Sequence, residues 1–580
     1  MKTADRIFFG GPIRTMDPAN PIAEAVAIRE GRVLAVGSKA DIERLAVADT
    51  IRSDLEGRAM LPGFVEAHSH PMMSALAWGD PVVDIRAVHE PTFSAVIAKM
   101  RRRLAKAKPD EVMWFLGLDP QLHEGMEEPS RELLDDIAPN NPIVVQTINF
   151  HGVFINTKAL AVFGIGADYQ PPLGGKVFDA ADGLPWKFAE TSAWQLCSRF
   201  YDICGEERKK RSFEEWVQKF VRAGYTTTSE IMVEPGAAPM LYAMVKSRRN
   251  PLRIVGYEAK HLGGEVTIAR NFGDDDFRMI GTKLHADGSV LLGNVWTTSP
   301  YLNNKMTLKG MGLPENSTGH SNISEEKLHE LVGKYVSEGW QMSVHAHGDR
   351  TIDMVLNVYE RVIERVGADK VSGPLRIEHC GIMREDQIDR AVRLSVVCSY
   401  FLPYVHYWGE ALRDYLLGEE RAARFAPSGS ASKKGMRVSY HCDSPMTWPD
   451  ALVCLNVAVN RSTMKGAVLG PEQRVSMEEA LKAITIDAAY QLQMDDRIGS
   501  IATGKFADFV ILDRDPVVCE TDRILQIVIV GTVVGGVDTS DFFRASSHIP
   551  PTRTHLLPVA RDSSAAAPVR TGSRIDSNES

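Results

Sequence analysis

From about Met60 to Gln491, short apolar runs alternate with helical stretches, and this alternation constrains the fold more than any other feature of the chain. Ile143-Val144-Val145, Leu252-Arg253-Ile254-Val255, Met342-Ser343-Val344 and Ser395-Val396-Val397 are strand candidates. Helical patterns over Phe213 to Ala223, Glu325 to Glu338 and Met477 to Ala489 lie between or after them. Strand followed by helix, repeated, predicts a parallel α/β architecture. The length of the repeat favours a closed barrel over an open sheet, although periodicity alone does not choose between them.

The two ends have a different texture. Ile7-Phe8-Phe9, Ala25 to Ile28 and Val33 to Val36 are β-rich runs punctuated by Gly10-Gly11, Gly31 and Gly37. Phe509 to Leu512 and Ile524 to Val534 repeat that pattern near the other end. The expectation is one small discontinuous β-domain built from residues 1–60 and 492–545, flanking a barrel over 61–491. Beyond Ala545, Pro550-Pro551, Ser563-Ser564 and the closing SRIDSNES predict a disordered tail over 546–580.

Composition excludes several partner classes. Lys plus Arg is 66 and Asp plus Glu is 75, a net charge of −9. That gives no support for a nucleic-acid or anionic-membrane partner. No apolar run reaches the roughly 18 residues of a spanning helix, and MKTADRIFFGG has no apolar core of signal-peptide length. Seven scattered cysteines without a CxxC pair read as reduced thiols of a cytoplasmic protein.

Chemistry concentrates where strands end. In MLPGFVEAHSH, His68 and His70 are two apart, so on an extended segment both imidazoles face one side and can reach one ion. The bland reading is a pair of surface loop histidines. His345 and His347 in MSVHAHGD, and His379 in LRIEHCG, follow later strand candidates. Strand ends of a barrel converge on one face, and three separate histidine sites there make coincidence a poor explanation. Asp443 in RVSYHCDSP is a fourth strand-end signal, with turn or cap chemistry as its alternative. Lys283 in MIGTKLHADGS is a lysine within a strand, to be read against a snorkelling side chain or an ion pair with Asp287.

In this chain order, these residues resemble the amidohydrolase superfamily. LPGFVEAHSH, NFHGVFINTKAL, GTKLHADGS, VHAHGDRTID, RIEHCGI, CDSP and GSIATGKFADFVILDRDP narrow the resemblance to amidohydrolase family 3, the branch that includes N-substituted formamide deformylases. The resemblance runs from about residue 5 to about 540 and implies a (β/α)8, TIM-like barrel with a small β-sandwich formed by both chain ends. It implies two divalent ions, with zinc as the default and manganese, iron or cobalt also suited to such ligands. It assigns His68 and His70 to the more buried ion and His345 and His379 to the second. Lys283 matches the lysine whose carbamate bridges the ions, and Asp443 matches the ligand that acts as general base and then general acid. The implied reaction is hydrolysis of an amide, formamide or related C–N bond by a metal-activated hydroxide. His151 in NFHGVFINTKAL matches a pocket histidine, read as a substrate-carbonyl contact or as a structural hydrogen bond. Asp349 either orients His345 or caps the following helix.

Several positions depart from the family pattern. Glu66 stands where Asp is usual. His347 replaces an apolar residue and shares a face with His345, so the two remain alternatives as ligand; His285 raises the same question beside Lys283. In SYFLPYVHYWGE, Phe401, Tyr404 and Trp408 predict an aromatic pocket wall and an apolar or aromatic substrate, against an aromatic core or subunit interface. His441 replaces a small residue and is expected to tune Asp443 or touch substrate.

Two further readings compete. A mononuclear deaminase of the same superfamily lacks the bridging lysine, which Lys283 argues against. A non-catalytic structural or regulatory homologue predicts missing ligands, whereas every expected position is filled. The expected partner is a small-molecule substrate, with a homodimer or higher homo-oligomer as the default assembly.

Overall fold

The computed structural model describes residues 3–77, 82–87, 89–172, 174–247, 250–260 and 263–539, apart from the side chains of 201–204. The tail expected over 546–580 lies outside the described residues. Among these residues no helix is long and apolar enough to cross a membrane.

Eight parallel strands form the barrel: β1 (Phe64–Glu66), β2 (Tyr225–Val233), β3 (Arg253–Ala259), β4 (Phe277–His285), β5 (Gln341–Ala346), β6 (Arg376–His379), β7 (Val397–Tyr400) and β8 (Ser439–Tyr440). Each pairs with its neighbours in chain order, giving a nearly closed sheet. Almost every residue of these strands is buried, as expected for a parallel sheet covered on both faces. The seam between β8 and β1 is bridged just past the strand ends. The Cys442 amide donates to Glu66 Oε1 at 2.6 Å, and the His70 amide donates to the Ser444 carbonyl at 3.0 Å. Glu66 therefore helps close the ring, and burial pushes its carboxyl up to about 8.

The outer helices follow their apolar stripes. Glu325–Ser337 starts at Ser324, whose side chain accepts from the Lys327 amide. The helix expected over Met477 to Ala489 is instead two, Met477–Ala483 and Ile486–Gln491. Thr485 Oγ1 donates back to the Leu481 carbonyl at 2.6 Å, and the Ile484 carbonyl accepts from Val65 of β1 at 2.8 Å. Both bonds interrupt the helical ladder.

The chain ends meet in one eight-stranded sheet that includes Arg6–Arg14, Ile22–Arg29, Ala59–Pro62, Phe509–Leu512 and Ile529–Val534. Phe8 and Phe509, about 500 positions apart in sequence, meet edge-on with ring centres 5.9 Å apart. Arg14 and Asp515 pair at 2.6 Å across the same junction. The hairpin turn at Glu30-Gly31 has positive φ at both positions, 50° and 74°, the backbone of a two-residue primed turn. The described strands of the two ends belong to this one sheet.

A third, six-stranded sheet lies between β1 and β2 in sequence, running from Val82–Asp84 to Pro185–Glu190. The strand expected at 143–145 belongs here and not to the barrel. Its own core holds Trp114, Val144, Val153 and Phe188. The sheet matters because the turn between Ile143–Thr147 and Gly152–Ile155 carries His151.

Candidate metal centre and active site

Chain geometry beyond β1 brings His68 and His70 to the ends of the barrel strands. Both Nε2 atoms approach Asp443 Oδ1, at 3.4 Å and 3.3 Å. His68 Nδ1 lies 2.7 Å from Glu378 Oε2. A carboxylate only accepts, so Nδ1 carries the proton and Nε2 keeps its lone pair toward Asp443. Glu378 is itself held by Arg376 Nε at 2.9 Å and by the Ser343 hydroxyl at 2.8 Å. Burial, followed by the Lys283 ammonium, holds His68 well below the ordinary imidazole range.

Asp443 follows β8 with φ of 53°, and His379 and Cys380 end β6 with φ of 74° and 49°. Left-handed backbone at non-glycine residues is costly and clusters at functional sites. Burial raises the Asp443 carboxyl, but the adjoining His70, with His441 and Lys283 nearby, outweighs it and holds it low.

Lys283 points into the barrel from β4. It is fully buried, and its Nζ has no hydrogen-bond partner. Burial brings its amine down to about 8. The ion pair with Asp287 does not form. Asp287 instead accepts from the backbone amides of His347 at 3.0 Å and Gly348 at 2.8 Å.

His345 sits opposite His285 across the β4–β5 ladder. Its Nε2 donates to the Gly288 carbonyl at 2.8 Å, which leaves the Nδ1 lone pair. Asp287 Oδ1 stands 3.5 Å from the same Nε2. Gly288 and Asp287 therefore orient His345. Asp349 does not; it accepts from the Thr298 amide at 2.8 Å and from the Thr298 hydroxyl. His347 stacks on His379 at 4.7 Å and has a buried Nδ1 without a partner.

Three groups have ligand atoms within 4.8 Å of one another: His68, His70 and Asp443; His345, His347 and His379; and His68, His379 and His441. Imidazole nitrogens and a carboxylate at such spacing suit a divalent transition ion. Lys283 Nζ, buried without a hydrogen-bond partner, lies beside these groups, and the donor set fits a divalent metal site.

A cavity of about 40 Å³ opens over these groups, room for a few water-sized groups. His151 lines it, with Nδ1 2.8 Å from Glu190 Oε2. Burial lowers the His151 imidazole, but Glu190 more than offsets this and the net shift is upward. Glu190 is fully buried and also accepts from Asn294 at 2.5 Å and Asn322 at 3.2 Å. Trp194, Met73, Phe150, Met232 and Met446 make the cavity's apolar wall.

The aromatic segment divides. Tyr404 lines the cavity. Phe401 lies behind it, 4.8 Å from Tyr404 and 5.3 Å from His441. Trp408 does not line the cavity; its indole donates to Asp119 at 2.7 Å. His441 is fully buried and does not line the cavity either. Glu190, Trp194 and Glu378 went unmarked in the sequence. For Glu378 a signal existed, a charged residue inside the buried strand just before His379.

The profile described as Amidohydrolase family matches residues 53–538. The chain is 27% identical over 542 residues to an N-substituted formamide deformylase of Arthrobacter pascens, covering 92% of this chain and 98% of that one. It is 26% identical over 550 residues to Protein LONG AFTER FAR-RED 3 of Arabidopsis thaliana, covering 92% and 91%. Among solved structures, an uncharacterized metal-dependent hydrolase from Pyrococcus horikoshii has a TM-score of 0.69 and 22% identity, over 89% of this chain and 99% of that one, a likeness of fold.

Proposed function

The chain belongs to the amidohydrolase family and is a hydrolase acting on C–N bonds; from that premise we propose that it cleaves an amide or N-substituted formamide bearing an apolar or aromatic group. His68, His70 and Asp443 would hold one divalent ion, and His345 and His379 a second, with zinc the default. The observation that carries this reading is Lys283, buried with an unpartnered Nζ beside seven potential ligands.

Bound ions would lower the pKa of water and polarise a carbonyl. The chain's own groups do the rest. A neutral Lys283 amine would add to carbon dioxide and release a proton to solvent, leaving a carbamate that would serve as a further anionic ligand. Burial favours that neutral amine, and the resulting anion removes a positive charge from the centre. Asp443, kept ionised, accepts the proton of the attacking water and delivers it to the leaving nitrogen. His151 gives its Nδ1–H to Glu190; in its protonated form, which Glu190 favours, it also carries Nε2–H and would donate to the developing oxyanion. Trp194, Phe150 and the methionines would receive the substrate's apolar part and exclude water.

The relative's formamide activity and the apolar wall support a formamide of this kind. The test is a panel of N-formyl, N-acyl and carbamate compounds offered to protein loaded with divalent metal. Turnover of N-formyl or N-acyl amides with apolar groups is expected. Turnover confined to an amidine or aminopurine would favour a deaminase instead.

A further inference from the structure

His441 departs from the family pattern, sits outside the cavity, and yet touches a candidate ligand. Its surroundings form a closed chain of donors and acceptors whose proton positions can be worked out. Gln491 begins it. The Gln491 Nε2 group lies 3.0 Å from the carbonyls of both Cys398 and Arg437. Two carbonyls fix that atom as nitrogen, so Oε1 is the acceptor.

Ser439 Oγ lies 2.8 Å from Gln491 Oε1, so the single hydroxyl proton of Ser439 is spent there. Ser399 Oγ is 2.9 Å from Ser439 Oγ. Ser439 can only accept in that bond, so Ser399 donates. The Ser399 proton is now used as well, and Ser399 must accept from His441 Nδ1, 2.8 Å away. His441 therefore carries its proton on Nδ1. That is the one proton of a neutral imidazole, so Nε2 bears the lone pair. That lone pair faces His379 Nδ1 at 3.2 Å. His379 donates from Nδ1 and leaves its own Nε2 free. Every member is buried.

Resting on the metal-centre reading, we propose that His441 is a positioning residue that accepts the Nδ1 proton of His379 and so fixes Nε2 of His379 as the metal-binding atom, with Gln491, Ser439 and Ser399 setting the direction of the chain. Ligating histidines ordinarily donate their second nitrogen to a carboxylate or a carbonyl, as His68 and His345 do here. The third uses an imidazole. The same assignment removes His441 as a ligand in the His68, His379 and His441 group, because both its nitrogens are engaged.

The test is titration of metal-free protein with Co2+, followed by visible absorption and by competition with a chromophoric chelator. Wild-type protein is expected to take up two ions. His441→Leu should weaken one of them by about 10- to 100-fold and leave the other unchanged. His441→Gln, whose Oε1 accepts in place of Nε2, should recover most of that loss. Wild-type affinities in His441→Leu overturn the proposal, and so do equal losses in the Leu and Gln variants, which would report packing alone. Should His441→Leu fail to fold, Ser399→Ala frees the His441 proton to move, and a smaller loss at the same ion is expected; unchanged affinity there overturns the proposal. A wild-type protein that binds a single ion ends the binuclear reading and this inference with it.

Discussion

Arg376 and Glu378 project from the same strand into the barrel interior, Arg376 Nε 2.9 Å from Glu378 Oε1, and the carboxylate so held turns His68 by its Nδ1. A buried ion pair gives little net stability, because desolvation offsets the attraction. Here its product is orientation.

Removing one partner leaves the other charge buried. Arg376→Met is expected to destabilise the metal-free protein by about 3–5 kcal/mol in denaturant unfolding. It should also weaken the ion held by His68 and His70 by about 10- to 100-fold, measured by chelator competition. Loss of stability with full metal affinity would detach Glu378 from the site.

Lys283 predicts effects of opposite sign. Its unpartnered buried Nζ is a liability without metal. Lys283→Met should therefore stabilise the metal-free protein by about 1–3 kcal/mol. The same variant should lose binuclear metal uptake and activity. Calorimetry on chelated protein reads the first effect and metal analysis the second.

Glu230 gives a pH dependence. It is buried in β2 and accepts from the Met72 and Met232 amides at 2.8 Å and 3.3 Å. Burial pushes its carboxyl from 4.5 up to about 8. The folded chain then holds a proton that the unfolded chain has released. This contribution is fully present below pH 4.5 and is lost as pH rises through about 8. Glu230→Gln should flatten the stability profile in that window, and urea unfolding across it compares the two proteins. Parallel profiles would contradict the assignment.

Trp194 and Trp408 should separate binding from stability. Trp194→Ala removes cavity wall and is expected to raise KM for apolar amides about tenfold or more. Trp408→Phe deprives the buried Asp119 of a donor and should cost about 1–3 kcal/mol of stability with KM unchanged. Steady-state kinetics beside thermal unfolding distinguishes them.

The barrel and its strand-end residues were legible because alternation and HxH spacing are local signals. Each of His68, His345, His379 and Asp443 follows an apolar run that the sequence marks. The six-stranded sheet was not legible, since Ile143-Val144-Val145 has the same composition in either sheet. Trp408 was misplaced for a related reason. It lies one helical turn beyond Tyr404 on Pro403–Ala411, and only the partner Asp119, 289 positions away, draws it off the cavity. Glu190 escaped notice because its link to His151 crosses 39 positions and three strands of an insertion. The His441 chain is likewise invisible in sequence: its five members come from three strand regions and a helix.

The most direct measurement is elemental analysis of desalted wild-type protein and Lys283→Met, together with the intact mass of the wild type under non-denaturing conditions. The account predicts two divalent ions per wild-type chain, a mass increment equal to one carbon dioxide, and loss of the increment and of paired ions in the variant. An active wild-type protein that carries no divalent ion, or a Lys283→Met variant that keeps both ions and full activity, would contradict it.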